Sequence, residues 1–302
     1  MPVELVPEGI SFNDPSKTTP VQMSTTGFQF LNYEDLTRSV RKLAAQLATP
    51  MAVAGIPRAG ELVATMLAEH FAVPKIPLDE ALSCNPYLPD QRRAHLRSTN
   101  DFVLIVDDTV WGGHAMSYCR SCADPQANLR FACVFSTPEN RHLVDYWAEE
   151  HPRSLNMFEW NMLREPWAHH AYCDLDGVIC SDWNGSESLT PDTYLNHINQ
   201  ARVLYAPTKP IGAVVTGRLE CFRPQTEEWL ARNHIQFHKL IMYPSADARV
   251  RDNDDIGAWK GQFFRDDSNA RVFFESDLGQ SNRIHDISQK PVVFFPERRL
   301  LS

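Results

Sequence analysis

Short apolar runs end in acidic or glycine-bearing loops, and each loop opens into a helical pattern, nearly from one end of the chain to the other. This alternation constrains the fold more than any other feature, because strand, loop and helix in turn build parallel α/β sheets. In the first half, MAVAG (51–55) leads through a loop into ELVATMLAEHF, FVLIV (102–106) into a helix from about His114, and FACVFS (131–136) follows. In the second half, HAYCDL, IGAVVT (211–216), RVFFES (271–276) and PVVFF (291–295) repeat the arrangement. The 302 residues suit two such domains. The stretch 151–169 between the halves is aromatic, with Trp160 and Trp167 in FEWNMLREPWAHH, rather than Gly/Ser-rich. The reading is a first domain over 1–165 and a second over 166–302, both doubly wound α/β with mainly parallel sheets.

Several classes fall away. No run approaches the ~18 apolar residues of a membrane span, and MPVELVPEGISFNDPSKTTP lacks the basic start and apolar core of a secretory signal. With 29 basic against 38 acidic side chains, the net charge of −9 disfavours nucleic acid and anionic membranes as partners. Seven scattered cysteines read as reduced thiols of a cytoplasmic protein. Cys119 and Cys122 form a lone CxxC with no second pair to complete a zinc site, so they read as core packing. The sequence leaves the oligomeric state open.

The first chemical constellation is VLIVDDTVWGGHA (103–115). A strand ends in Asp107 and Asp108, and a loop with Gly112 and Gly113 then opens a helix. Ligands of open α/β sheets bind beyond the carboxyl ends of strands, and amides at a helix N-terminus hold phosphate. Paired carboxylates accept hydrogen bonds from vicinal hydroxyls, so a phosphorylated pentose fits. The earlier loop Gly55-Ile56-Pro57-Arg58-Ala59-Gly60 offers amides and a guanidinium to a second anion. A lone Asp-Asp after a strand is ordinarily a cap or turn; two such loops in order argue for more.

Over about residues 28–150 these segments resemble the type I phosphoribosyltransferases. The resemblance implies binding of 5-phosphoribosyl 1-diphosphate (PRPP) by Arg58, Ala59, Gly60 and the run from Asp107 to Ala115. In it, Asp107 and Asp108 take the ribose hydroxyls. The segment from Val110 through Trp111, Gly112, Gly113 and His114 to Ala115 takes the 5-phosphate, with Thr109 beside it. Arg58 and nearby backbone hold the departing pyrophosphate, and Arg92 and Arg93 add positive charge. Where the family carries Thr-Gly-x-Thr, this chain has Gly112-Gly113-His114-Ala115, which lacks both hydroxyls. Trp111 stands where purine-salvage members place an aspartate, which argues against ordinary purine salvage.

The second constellation comes from four segments. AYCDLDGVIC places Asp174 and Asp176 at a strand end, IGAVV ends in Thr216-Gly217-Arg218, AWKGQFF carries Lys260, and VFF ends in Glu275-Ser276-Asp277. A carboxylate pair, a hydroxyl, an ammonium and a further acid are what metal-assisted phosphoryl transfer to a carboxylate requires. Any one of these residues alone would pass as scaffold or surface. The order and spacing over about 168–300 look like the haloacid dehalogenase-like (HAD) phosphatases. The resemblance implies Asp174 as nucleophile, Asp176 as general acid/base, Thr216 on the phosphate and Lys260 as charge stabiliser, preferred over Lys239. It also implies a magnesium site from Asp174, the Asp176 backbone carbonyl and Asp277, with Glu275 in indirect support. The short intervals from Asp182 to Gly212 and from Arg218 to Lys260 imply a capless, open site.

Together the two resemblances imply transfer of phosphoribosyl from PRPP to an acceptor, followed by removal of the 5-phosphate. The layout is similar to two-domain chains of bacterial polysaccharide assembly, which implies a glycan acceptor. The alternatives are base salvage ending in a nucleoside, and a phosphatase governed by a non-catalytic PRPP-binding domain.

Overall fold

The computed structural model describes residues 28–83, 102–152, 155–183, 190–244 and 254–301. The chain divides into two compact units, Tyr33–Leu155 and Phe28–Asn32 together with Asn156–Ser302. The first described strand, β1 (Phe28–Leu31), therefore belongs to the second unit.

The first unit runs α1 (Tyr33–Ala44), β2 (Ala52–Gly55), α2 (Gly60–Phe71), α3 (Leu78–Leu82), β3 (Val103–Val110), α4 (His114–Cys122), β4 (Leu129–Ser136) and β5 (Tyr146–Glu150). Its sheet is parallel throughout, in the order β2-β3-β4-β5. Helix α1 buries Leu36, Val40, Leu43 and Ala44 on one face, with acids in its first turn and bases in its last, as the helix dipole favours. The core joins Ala52, Ala54, Ile105, Phe131 and Cys133 to Met116 and Cys119 of α4. Cys119 thus packs inside, whereas Cys122 is exposed, and both are free thiols. Strand β3 does not stop at Val106 as its apolar run suggests. It continues in register through the acid pair, with Asp107 opposite Cys133 and Val110 opposite Ser136.

The second unit contains β6 (Leu155–Phe158), β7 (Ala171–Cys173), α5 (Pro191–Gln200), β8 (Ile211–Leu219), α6 (Arg223–Arg232), β9 (Phe237–Tyr243), α7 (Ile256–Asp266), β10 (Val272–Glu275), α8 (Leu278–Ser288), β11 (Val292–Phe294) and β12 (Arg299–Leu301). Six strands form one sheet in the order β12-β11-β10-β7-β8-β9, parallel except for β12. From β7 the chain builds outward first through β8 and β9, then on the other side through β10 and β11. The order therefore reverses at β7, and such a reversal opens a crevice beyond the strand ends where ligands bind. Three helices beside that edge have capped starts: Thr190 forms a capping box with Thr193 at α5, Asp255 caps α7, and Asp277 caps α8.

The division falls ahead of the expected boundary at 166. The aromatic junction is not a linker: Met157, Met162 and Leu163 are buried with Phe30, Cys173, Leu175 and Phe274 in the second unit's core. Phe30 meets Phe274 edge-on with centroids 6.3 Å apart. Among the described residues no helix is long and apolar enough to cross a membrane. Phe30→Ala should lower the unfolding free energy by about 3–5 kcal/mol, the usual cost of truncating a buried phenylalanine. An unchanged melting transition would show that β1 is not part of that core.

Candidate active sites

In the first unit, glycine brings the earlier of the two expected anion loops against the acid pair. A Cβ on Gly60 would lie 2.7 Å from the Val106 carbonyl oxygen and 3.0 Å from Asp107 Oδ1. Only glycine lets the start of α2 rest on the acid-bearing strand. The Arg58-Ala59-Gly60 turn thus lies beside Asp107, with Arg58 exposed and a cis peptide between Pro57 and Arg58. Asp107 and Asp108 are 9% and 5% exposed, and the Asp108 amide donates to Asp107 Oδ1 at 2.9 Å. Burial, and then the neighbouring Asp108, push the Asp107 carboxyl well above the usual range.

The expected phosphate segment from Val110 to Ala115 is divided by the structure. Val110 ends β3 and its side chain sits in the apolar core, because the strand runs on past the acids. Thr109 also lies in β3, and its buried hydroxyl makes no hydrogen bond. The connection proper is Trp111-Gly112-Gly113, and α4 starts at His114, followed by part-buried Ala115. No side chain caps α4, and an uncapped helix start presents backbone N–H groups suited to an anion. Asn140 braces this connection: its Nδ2 donates to the Trp111 carbonyl at 2.7 Å, and its Oδ1 lies against Gly113. Asn140 is distant in the chain and carries no local signal in the sequence. Arg92 and Arg93 lie outside the described residues.

In the second unit the four segments converge. Asp174 and Asp176 follow β7, Thr216 lies on β8, Lys260 on α7, and Glu275 and Asp277 close β10 and open α8. All of them line one cavity of ≈ 430 Å³ at the carboxyl edge of the sheet. Lys260, 1% exposed, places Nζ 3.0 Å from Asp174 Oδ2 and 2.8 Å from Glu275 Oε2. The other Glu275 oxygen accepts from the amides of Ser276 and Asp277 at 2.8 and 3.1 Å. Burial opposes a charged ammonium, but Asp174 and Glu275 more than offset it and hold Lys260 protonated. Burial, and then Glu275, raise the Asp174 carboxyl well above the usual range. Lys239 instead pairs with Asp267 on the exposed side of the sheet, 2.6 Å away.

Gly177 allows the sharp turn after the acids. Its φ is +79°, and a Cβ would sit 2.3 Å from Ser276 Oγ. Ser276 Oγ donates to the Asp176 carbonyl at 3.0 Å, joining the first and last of the four segments.

The Asp176 side chain is gripped. Arg218 Nε and Nη2 donate to its two oxygens at 2.8 and 2.6 Å. His197 Nε2, from α5, lies 3.5 Å from Oδ1. Burial opposes ionisation, yet Arg218 and His197 hold the carboxyl well below its usual range. In the sequence Arg218 is marked only as the residue after Thr216-Gly217, and nothing local marks His197.

The donor set suits magnesium. Two buried carboxylates, Asp174 and Glu275, share one ammonium, so a cation beside Asp174 would favour its ionised form. Asp174, the Asp176 carbonyl and Asp277 supply oxygen only, the preference of a hard divalent ion. Asp277 commits Oδ1 to the Gln280 amide at 2.7 Å. Gln280 Oε1, buried and without a hydrogen bond, lines the same cavity. Among the described residues no three His, Cys, Asp or Glu side chains form a metal-binding group, so a site here would draw on two carboxylates and backbone oxygen.

No protein-family model matches the chain, and no curated protein does. Among solved structures it is similar to a xanthine-guanine-hypoxanthine phosphoribosyltransferase of Helicobacter pylori, at 19% identity and a TM-score of 0.35, over 45% of this chain and 92% of that one. It is also similar to a purine phosphoribosyltransferase of Pyrococcus horikoshii, at 19% identity and a TM-score of 0.34, over 44% and 93%. A chain of the Pnkp1/Rnl/Hen1 RNA repair complex aligns over 88% of this chain and 94% of its own, at 11% identity and a TM-score of 0.32. Likenesses of this size do not assign an activity.

Lys260→Ala should cost about 3–5 kcal/mol in denaturant unfolding, because Asp174 and Glu275 would face each other buried and unpaired. Adding Glu275→Gln should recover part of that loss. Equal stability of Lys260→Ala and the unaltered chain would show that the triad is not closed in solution.

Proposed function

We propose that the chain carries two consecutive activities: transfer of 5-phosphoribosyl from PRPP to an acceptor, and removal of the 5-phosphate from the product. The observation that carries the phosphatase half of this reading is the meeting of Asp174, Thr216, Lys260 and Asp277, from four separate segments, around one cavity in the second unit.

In the phosphatase half, a carboxylate oxygen of Asp174 attacks phosphorus, the bond to the ribose 5-oxygen breaks, and that oxygen takes a proton delivered through Asp176. Water then attacks the aspartyl-phosphate and gives a proton to Asp176. The bond from phosphorus to Asp174 breaks, and inorganic phosphate leaves with the Asp174 carboxylate restored. Lys260 neutralises charge on Asp174, and the Thr216 hydroxyl, buried at the cavity wall, is placed to donate to a phosphoryl oxygen. Asp174, the Asp176 carbonyl and Asp277 would hold magnesium, which would supply further positive charge against the phosphoryl oxygens. With Arg218 in place Asp176 is ionised and ready to accept a proton. The proton for the leaving oxygen is drawn from solvent through Asp176, and the one Asp176 later takes from the attacking water returns to solvent.

In the transferase half, Asp107 and Asp108 receive the ribose hydroxyls and the Trp111–Gly113 connection with the start of α4 receives the 5-phosphate. The Arg58-Ala59-Gly60 turn takes the pyrophosphate. The support is the contact of that turn with the acid-bearing strand and the uncapped start of α4. The proposed acceptor is a sugar of a glycan, a reading that rests on the sequence resemblance.

With ribose 5-phosphate and magnesium, the full chain should release inorganic phosphate and Asp174→Asn should not. Phosphate release that survives Asp174→Asn would rule out this nucleophile. Separately, Asp107→Asn with Asp108→Asn should abolish pyrophosphate release from PRPP while ribose 5-phosphate hydrolysis continues. Loss of both activities together would mean that the acid pair serves the fold rather than the ribose.

A further inference from the structure

Arg218 is a fully enclosed cation of the second unit, 1% exposed, that touches no substrate atom in the proposed chemistry. It stands where β8 loses its regular pairing with β9, since the register shifts between Thr216 and Leu219. Such irregularities re-aim side chains beside active sites. Its side chain spans the two Asp176 oxygens and also reaches Cys180 Sγ at 3.4 Å, while Cys180 Sγ lies 3.4 Å from Asp176 Oδ1. Its backbone amide donates to Thr216 Oγ1 at 3.1 Å. That contact occupies an acceptor site of the hydroxyl and leaves its proton to be donated elsewhere.

Stability alone is a poor account of this arrangement. Buried ion pairs are often no better than well-packed apolar residues of the same volume, and Arg218 Nη1 makes no hydrogen bond at all, which adds a desolvation cost. What the bidentate fork does supply is a fixed direction: a planar guanidinium holds a carboxylate in one plane and one rotamer. His197 approaches the same carboxylate from α5, its ring edge-on to Trp183 at 5.4 Å and stacked near Tyr194 at 6.2 Å.

We propose that Arg218 is a positioning residue for the phosphatase reaction: it fixes the Asp176 carboxylate for proton transfer with attacking water and, through its amide, orients Thr216. The inference rests on the phosphatase reading above. It assigns Arg218 no contact with substrate; its effect passes through Asp176 and Thr216.

The test uses the full chain with magnesium and ribose 5-phosphate as probe. Arg218→Lys keeps charge and most of the volume but cannot form the fork, and Arg218→Gln removes the charge. Both should lower kcat by about a hundredfold, the scale of a mispositioned acid/base group, with KM little changed. Acid-quenched Arg218→Lys should carry more phosphate on Asp174 than the unaltered chain, because hydrolysis of the aspartyl-phosphate is slowed. Asp176→Asn combined with Arg218→Lys should be no slower than Asp176→Asn alone, since one residue acts through the other. Melting profiles check folding, and if Arg218→Gln unfolds, Arg218→Lys carries the test. Full kcat in Arg218→Lys beside an inactive Asp174→Asn would overturn this proposal and leave the phosphatase reading standing. Multiplying losses in the double variant would do the same. No phosphate release by the unaltered chain would overturn the reading itself, and the proposal with it.

Discussion

The Lys260 ammonium, closed between Asp174 and Glu275, is the interaction on which the second unit's site depends. A buried carboxylate without a partner is expensive, and here two of them share one cation. Helix α7 must bring Lys260 under the ends of β7 and β10 for those carboxylates to remain inside. The Glu275 side chain then takes the amides of Ser276 and Asp277, which fixes the turn into α8. Ser276 in turn holds the Asp176 carbonyl. The triad therefore does more than carry charge: it ties the turn after β10 to the turn after β7, and the cavity is the space between them.

The two candidate sites use different physics on similar scaffolds. The first relies on backbone: close approach of Gly60 to the acid-bearing strand, an uncapped helix start, and a connection braced by Asn140. The second relies on paired side-chain charge inside the fold. A phosphate site built from amides would not need loop hydroxyls at Gly112 to Ala115, because N–H groups and the helix dipole remain. A site built from charge does not tolerate a missing partner, and Arg218 and Lys260 are accordingly buried with their carboxylates.

Much of this was legible in the sequence, for local reasons. Asp174, Thr216 and Asp277 each follow an apolar run, and in a parallel sheet the ends of such runs share one edge. Their assembly follows from strand polarity alone once β10, β7 and β8 are neighbours. Lys260 was legible because it precedes the last of these strands by one helix. What was not legible came from pairing and from distance. Strand β3 extends through Asp107 and Asp108 because β4 offers partners as far as Ser136, whereas adjacent aspartates ordinarily favour turns. Strand β1 joins the second unit because Phe30 finds its apolar surroundings there, far along the chain. Arg218, His197 and Asn140 owe their positions to contacts across many residues, and no spacing rule reaches them.

The proposed pairing of activities is that one chain both attaches ribose phosphate and strips its phosphate. It is tested most directly with PRPP isotopically labelled in the 5-phosphate, offered to the full chain with magnesium and a panel of sugar acceptors and nucleobases. With a sugar acceptor, labelled inorganic phosphate should appear in step with unlabelled pyrophosphate, and the ribosylated product should carry no label. Pyrophosphate release with the label retained on the product, or label released with no pyrophosphate from any acceptor, would contradict it.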